Sequence, residues 1–178
     1  MDDPNELLGR MAVDLKVLAQ ECLDETPLGR PKDSFISEIE PAMDGCCDSV
    51  VVWLSEYKPM RYGDFPEENF VSLENCEPLY WGAELTISVW RPCAPTASES
   101  RVQPFADNDK KTLFAANIMT DLRALVCCVE SNLNSGRLIG GIDWSIGNKF
   151  LMKKPKVTRW AHCSDLSLPV LFDLGECC

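Results

Sequence analysis

Two long segments with helical periodicity stand on either side of a run of strand-like segments, and this order most constrains the fold. The first helix is predicted over residues 4–23, where Asp3 can cap the N-terminus and Glu6 completes a capping box. Its apolar residues recur every three or four positions and so share one face: Leu7, Leu8, Met11, Leu15, Leu18 and Cys22. The second helix is predicted over residues 109–133, with its own apolar side: Leu113, Ile118, Leu122, Leu125, Val126, Val129 and Leu133. Each helix must therefore bury one face against another layer.

The segments between and after the helices have the composition of β-strands. Residues 49–57 and 80–91 are the strongest, because β-branched and aromatic side chains dominate them. Residues 49–57 carry apolar side chains on both faces, which predicts a strand covered on both sides. Weaker strands are predicted at three further places: residues 34–39, 142–146 and 168–174. We expect an α+β fold, with a mixed or antiparallel sheet of four to five strands flanked by two long helices.

The chain is expected to form a single domain over residues 1–178, within which residues 147–166 can form an inserted basic hairpin or arm. Residues 1–100 carry 20 acids and 7 bases, a net charge of −13. Residues 101–178 carry 8 acids and 10 bases, a net charge of +2. Because DNA binding needs Lys and Arg to replace counterions, so acidic a chain is poorly suited to wrap DNA, although DNA could slide through an acidic passage. No apolar run approaches the roughly 18 residues of a membrane helix, so we expect no membrane contact and no secretory signal.

Residues that could carry catalysis are sparse. His162 is the single histidine, and a strand would place it and its neighbour Cys163 on opposite faces. We therefore interpret His162 as a structural or surface residue, not as half of a nucleophilic pair. The sequence also lacks the glycine-rich phosphate loops and the nucleophile elbow of known enzyme classes. We predict no enzymatic activity, no catalytic residue and no cofactor.

Ten cysteines, including three adjacent pairs, raise the question of metal binding. Four of them could supply thiolates: Cys46, Cys47, Cys76 and Cys93. The spacing of two to four residues that is typical of zinc sites is missing, so no metal site is predicted. Without a leader peptide the expected compartment is reducing, and most thiols are expected to be small core residues, with Cys127 and Cys128 packed in the second helix. A disulfide such as Cys47–Cys93 is the alternative under oxidising conditions.

Charged and aromatic residues supply the candidate contact sites for a partner protein. The long connection over residues 58–78 is acidic, whereas residues 149–159 contain five bases and no acid. Two tryptophans follow the polar phase of their segments, and tryptophan is frequent at interface hot spots. The predicted interface residues are Asp64, Glu67, Glu68, Trp90, Lys153, Lys154, Lys156 and Trp160. The alternatives are a solvated acidic loop, a solvated basic hairpin and two buried tryptophans.

Several short motifs occur in a characteristic order: residues 40–52 (EPAMDGCCDSVVV), Tyr57-Lys58-Pro59, Phe65-Pro66, Cys76, the strand over residues 81–89, Arg91-Pro92-Cys93-Ala94-Pro95, and Asp121-Leu122 in an Ala-rich helix. This order resembles the small tail terminator, or head-to-tail connector, proteins of long-tailed (siphovirus-like) phages of actinobacteria. The resemblance covers roughly residues 5–135 and is most specific over residues 40–95. It departs over residues 136–178, because the family ends sooner with a Gly-rich turn and one last strand.

The resemblance implies a sheet flanked by two helices, as in siphophage tail terminators, and a structural role without enzymatic activity. It implies a homohexameric ring that caps the tail tube, ends tube polymerisation and joins the tail to the head connector. The implied partners are other copies of the chain, the major tail tube protein and the head–tail connector or head-completion protein. Double-stranded DNA would pass through the lumen without specific binding. The implied location is the virion, at the head–tail interface of the tail, after assembly in the host cytoplasm.

Two alternatives stay open. One is a head-completion or connector protein, a stopper or adaptor, on the portal side. The other, which the sequence favours less, is a cytoplasmic thiol enzyme or zinc-binding module that uses His162 and nearby cysteines.

Overall fold

Two helices and seven strands make up the described part of the chain. The computed structural model describes residues 4–41, 48–60, 80–92, 108–134, 145–146, 151–152, 156–157 and 161–173. The helices are α1 (Pro4–Asp24) and α2 (Asn108–Asn134). The strands are β1 (Asp33–Ser37), β2 (Ser49–Met60), β3 (Tyr80–Pro92), β4 (Ser145–Ile146), β5 (Leu151–Met152), β6 (Lys156–Val157) and β7 (Ala161–Asp173). Both helices and the two strongest strands lie where the periodicity predicts them.

Four strands form the body of the sheet, in the order β1–β2–β3–β7. β1 runs parallel to β2, whereas β2, β3 and β7 are antiparallel neighbours. The short strands β4, β5 and β6 all pair with β7 on the side away from β3, so they form a broken strand along that edge. The sequence prediction of an α+β fold with a mixed sheet and two helices is confirmed.

Both helices cover the same face of the sheet and form the main core with it. Five residues of the predicted α1 stripe are buried in this core, whereas Leu7 is only half-buried: Leu8, Met11, Leu15, Leu18 and Cys22. Three residues outside the predicted stripe are buried with them: Ala12, Ala19 and Leu23. α2 contributes Leu125 and Val129. The sheet meets them with every second residue of its central strands: Val50, Val52, Ala83, Leu85, Ile87, Val89, Leu166, Leu168 and Val170. Burial of this apolar surface is the dominant favourable term in folding.

A disulfide joins the two helices, which the sequence did not predict. Cys22 of α1 bonds to Cys128 of α2, with 5.7 Å between their Cα atoms and a sequence separation of 106. The expectation that Cys127 and Cys128 pack as reduced core residues is wrong, because a helix turns successive residues about 100° apart and presents only one of them to α1. Cys127 is instead exposed. The alternative pair, Cys47 and Cys93, lies outside the described residues.

β7 is longer than its apolar pattern suggests. It begins at Ala161, whereas the sequence predicts a strand only over residues 168–174. The additional part contains polar side chains, which are unusual for a strand buried on both sides. The predicted hairpin or arm at residues 147–166 therefore contains β5, β6 and the start of β7, all of which pair within the sheet.

Candidate functional site

The face of the sheet opposite the helices carries polar side chains that are nevertheless buried. On β3, Thr86 is 0% and Ser88 is 2% exposed, although the alternating pattern of this strand suggests a solvated face. On β7, Asp165 is 3% and Ser167 is 0% exposed. Buried polar groups are costly unless they are hydrogen-bonded. The hydrogen-bond partners of these side chains therefore decide whether this face is a functional site or part of the architecture.

A chain of hydrogen bonds crosses three strands on this face. The indole N–H of Trp53 on β2 donates to Ser88 Oγ at 2.8 Å, and the Ser88 hydroxyl donates to Asp165 Oδ1 at 2.6 Å. The thiol of Cys163 donates to the same carboxylate oxygen at 3.1 Å. Ser88 thus accepts from one neighbouring strand and donates to the other, so its proton has one defined direction. Asp165 therefore accepts two hydrogen bonds, one from Ser88 and one from Cys163.

A second chain begins at a bulge in β2. The register between β2 and β3 shifts between Leu54 and Glu56, which leaves Ser55 as the extra residue. Its hydroxyl lies 2.9 Å from Thr86 Oγ1 and 2.9 Å from the main-chain oxygen of Glu84. Thr86 Oγ1 in turn lies 2.8 Å from Ser167 Oγ on β7. This second chain links the same three strands, so the face holds the register of the sheet through side chains as well as main chain.

The geometry around Cys163 does not resemble an activated nucleophile. A reactive cysteine needs a neighbouring base or positive charge that stabilises the thiolate. Cys163 is 2% exposed, and the group to which its thiol donates is a carboxylate, which carries negative rather than positive charge. His162 precedes it on β7, and the alternation of the strand directs the two side chains to opposite faces, as the sequence predicts.

His162 lies on the helix side of the sheet, where it pairs in register with Arg91 of β3 and Val157 of β6. It is half-buried, and loss of hydration lowers the pKa of its imidazole below the ordinary value of 6.5. The folded protein therefore holds this ring neutral at a pH where the unfolded chain would protonate it.

The free energy of unfolding should fall as the pH drops below about 6.5, because only the unfolded chain then gains a proton at His162. Above that pH the ring is neutral in both states and contributes no pH dependence. Urea unfolding at several pH values between about 7.5 and about 5.5 measures the effect, and His162→Gln should flatten the curve in this interval. Parallel curves for the parent and His162→Gln would contradict the assignment.

Arg91 is a buried cation at the junction of four elements. Its side chain is 4% exposed, and its Nε–H donates to Asp121 Oδ2 of α2 at 2.8 Å. One terminal nitrogen donates to Asp48 Oδ1, just before β2, at 2.8 Å. The other donates to the main-chain oxygen of Gly29 at 2.6 Å. One guanidinium therefore ties β3 to the second helix, to the start of β2 and to the turn after α1.

The turn at Gly29 shows why this arrangement needs a glycine. Gly29 has a φ of 68°, in the left-handed region that L-residues rarely adopt. Its N–H donates to the Thr26 oxygen at 2.9 Å, which closes the turn, and its own oxygen meets Arg91. A side chain at this position would strain the loop that reaches the guanidinium.

The three charged residues of this cluster belong to the motifs that carry the phage resemblance. Asp48 ends the stretch before β2, Arg91 opens the Arg-Pro-Cys-Ala-Pro motif, and Asp121 is the acidic residue singled out in the second helix. These motifs are far apart in the sequence, and the fold brings their charged residues together in one ion cluster. Arg91 and Asp121 are both buried, at 3% and 2% exposure.

The two edges of the sheet differ in character. At one edge β1 exposes apolar side chains, with Phe35 at 41%, Ile36 at 42% and the nearby Ile39 at 74% exposure. Residues 33–40 also contain three acids and no base. At the other edge, β4, β5 and β6 follow β7, and residues 149–159 around β5 and β6 carry five bases and no acid.

The predicted interface residues are distributed unevenly over this structure. Trp90 is buried at 7% exposure, in a small cluster with Val51, Trp53 and Cys163, so within this chain it has the buried position that was the alternative to an interface. Lys156 begins β6 at the sheet edge. The remaining predicted interface residues lie outside the described residues: Asp64, Glu67, Glu68, Lys153, Lys154 and Trp160.

The sequence did not single out Thr86, Ser88, Asp165 and Ser167 as a set. The signal for them was available in part, because polar residues recur with a period of two in both strands. Their pairing could not be predicted, since it depends on the register between segments 77 to 81 residues apart. The apolar residues of β1 beside its acids were also visible, but not their position at an edge.

Neither α1 nor α2 contains an 18-residue stretch apolar enough to cross a membrane. Within the residues that the structure describes, no group of three or more His, Cys, Asp and Glu side chains is arranged to hold a metal ion.

No protein-family model matches the chain, and no curated protein matches it.

Proposed function

We propose that this protein is a structural virion component that caps a phage tail tube as a homohexameric ring. The observation that carries the proposal is the meeting of Asp48 and Asp121 at the buried guanidinium of Arg91. These residues come from three separate motifs of the resemblance to tail terminators. Motifs that are far apart in the sequence thus pack together in the structure. This supports the interpretation that together they identify one fold.

The proposed ring ends tube polymerisation and joins the tail to the head connector. Its partners are other copies of the chain, the major tail tube protein and the head–tail connector or head-completion protein. The excess of acids over bases in the chain suits a lumen through which DNA passes without specific binding. The proposed location is the head–tail interface of the virion, after assembly in the host cytoplasm. The role requires shape and contact surfaces, and no catalysis.

Mass photometry at micromolar concentration, followed by negative-stain electron microscopy, tests ring formation. We expect a ring species in solution, and a ring at one end of tail tubes when purified tubes are added. Growth of the tubes from the capped end should then stop. A protein that stays monomeric, both alone and with tail tubes, would count against the proposal.

A head-completion or connector protein on the portal side is the second candidate. The departure of residues 136–178 from the terminator pattern favours it, because β5, β6 and the extended β7 lie in that region. The same microscopy separates the two candidates. A tail terminator binds the tube end, whereas a head-completion protein binds portal-bearing heads and leaves the tube end open.

A further inference from the structure

β1 is an open edge of the sheet. It pairs with β2 on one side, and no strand in the described part of the chain pairs with its outer side. Phe35 and Ile36 are 41% and 42% exposed, on opposite faces because successive residues of a strand alternate. Ile39, just beyond the strand, is 74% exposed. An edge with unpaired main-chain groups and exposed apolar side chains is a template for association unless something blocks it.

The direction of the main chain shows which residues of β1 are open for pairing. The Asp33 N–H donates to the main-chain oxygen of Asp48, just before β2, at 3.1 Å. The direction of the N–H and C=O groups alternates along a strand. Phe35 therefore also directs its groups toward β2, whereas Ser34 and Ile36 direct theirs away from the sheet. A strand that paired with this edge would form its main-chain hydrogen bonds to Ser34 and Ile36.

Opposite charges flank the two ends of β1. Lys32 precedes the strand and Glu38 follows it, and both are exposed. Each lies three residues from Phe35, the middle residue of the strand. The same order of charge holds two residues further out, with Arg30 before the strand and Glu40 after it. The complement of this charge order is the same strand in the opposite direction, so the edge is self-complementary.

One antiparallel register between two copies uses the whole strand. When Phe35 faces Phe35 of a second copy, all five residues of β1 are paired. Ser34 of each copy then faces Ile36 of the other, so the outward main-chain groups meet and can exchange hydrogen bonds. The two Phe35 residues form a non-hydrogen-bonded pair, in which the side chains are closest, and aromatic pairs of this kind stabilise a sheet.

The charged side chains fit the same register. Lys32 of each copy faces Glu38 of the other, so the two-fold symmetry gives two pairs of opposite charge. Asp33, the acid within the strand, faces Ser37 and not a second acid. A parallel pairing would instead place Lys32 beside Lys32 and Glu38 beside Glu38. The charges therefore favour the antiparallel arrangement.

We propose that the β1 edges of two copies of this chain pair antiparallel about a two-fold axis at Phe35, so that one sheet continues through both copies. The inference goes beyond the proposed ring. A two-fold contact joins two copies and then closes, whereas a cyclic ring repeats a contact between two different surfaces. Stable interfaces bury about 1,200 to 2,000 Å², and a five-residue edge is short, so we expect a reversible dimer.

Photo-crosslinking at the centre of the edge tests the contact directly. The variant Phe35→p-benzoylphenylalanine keeps an aromatic ring at the two-fold axis and reacts with whatever lies against it. A mixture of isotopically labelled and unlabelled chains, analysed by mass spectrometry, identifies cross-links between different copies. We expect them to join position 35 of one copy to residues 33–37 of the other. Cross-links only to another part of the chain, or none between copies at the highest soluble concentration, would overturn the proposal.

Charge reversals in the cross-linking chain test the register. Lys32→Glu or Glu38→Lys turns both attractive pairs into repulsive ones. We therefore expect the concentration needed for half-maximal cross-linking to rise by about tenfold, most clearly at low salt. The double variant Lys32→Glu/Glu38→Lys restores opposite charges at both pairs and should cross-link like the parent. Recovery in the double variant also shows that the substitutions do not act by unfolding the chain.

Two exposed residues of α2 supply matched controls. Arg123→Glu and Glu130→Lys make the same changes of net charge away from β1, and both should cross-link like the parent. Single variants at residues 32 and 38 that cross-link at the parental level would contradict the charge pairs. A double variant as weak as the single variants would contradict the antiparallel register.

The outcomes for this contact and for the proposed function are distinguishable. Rings on tail tubes without cross-links between β1 edges would leave the function standing and reject the two-fold contact. Cross-linked β1 edges in a protein that forms no ring on tail tubes would support the contact and count against the function.

Discussion

Replacing Arg91 by methionine should lower the free energy of unfolding by about 3 to 5 kcal/mol. The substitution keeps most of the side-chain volume and removes the charge that three acceptors share. Asp121, 2% exposed, would then be a buried carboxylate without its cation, and the Gly29 oxygen would lose its donor. Breaking a buried ion pair by removing one partner is among the most destabilising single changes. Urea unfolding followed by circular dichroism measures the loss.

Arg30 supplies the matched control. Its Nε lies 3.5 Å from Asp24 Oδ1, and both side chains are about half exposed, at 49% and 58%. Exposed pairs of this kind contribute little, so Arg30→Met should change stability by no more than about 0.5 kcal/mol. A loss below about 1 kcal/mol for Arg91→Met would contradict the structural role given to the cluster.

A double variant distinguishes the pair from the separate residues. Asp121→Leu added to Arg91→Met removes the stranded carboxylate, so part of the stability should return. If the stability losses of Arg91→Met and Asp121→Leu simply added in the double variant, Arg91 and Asp121 would not act as a unit.

The sequence was most informative where one physical signal dominated. The stripe from Leu8 to Leu18 repeats at helical spacing, and a helix that buries such a stripe has few other conformations available. The strand around Val50 to Val52 is apolar on both faces, and the structure buries it on both faces. In these elements the local sequence pattern agrees with the burial in the fold. They could therefore be predicted without knowing which segment packs against them.

The sequence was least informative where a residue depends on a distant partner. Ser88 and Asp165 look like solvated residues of a half-buried strand, yet each is buried because the other satisfies it. Arg91 is likewise buried through acids 30 and 43 residues away in sequence. Polar burial is a property of the pair, and a single sequence shows only its separate members. The start of β7 was missed for this reason.

Breaking the Cys22–Cys128 disulfide should have an effect of similar size by a different route. The bond closes a loop of 106 residues, so it removes many conformations from the unfolded chain. For a loop of about 100 residues this entropy corresponds to about 4.7 kcal/mol, and typical measured values are about 2 to 4 kcal/mol. The folded helices keep their other contacts, because Leu8, Leu15 and Leu18 pack on the sheet whether or not the sulfurs are joined. We therefore expect a folded protein of much lower stability after reduction.

Urea unfolding with and without reductant, on the parent and two variants, isolates this bond from the other cysteines. The parent should lose about 2 to 5 kcal/mol on reduction. Cys127→Ala, which removes the exposed neighbouring thiol, should behave like the parent in both conditions. Cys22→Ala should begin near the reduced level and respond little to reductant, because the 106-residue loop is already open. If Cys22→Ala kept the full response, the stabilising bond would lie elsewhere in the chain, and the tie between α1 and α2 would be refuted.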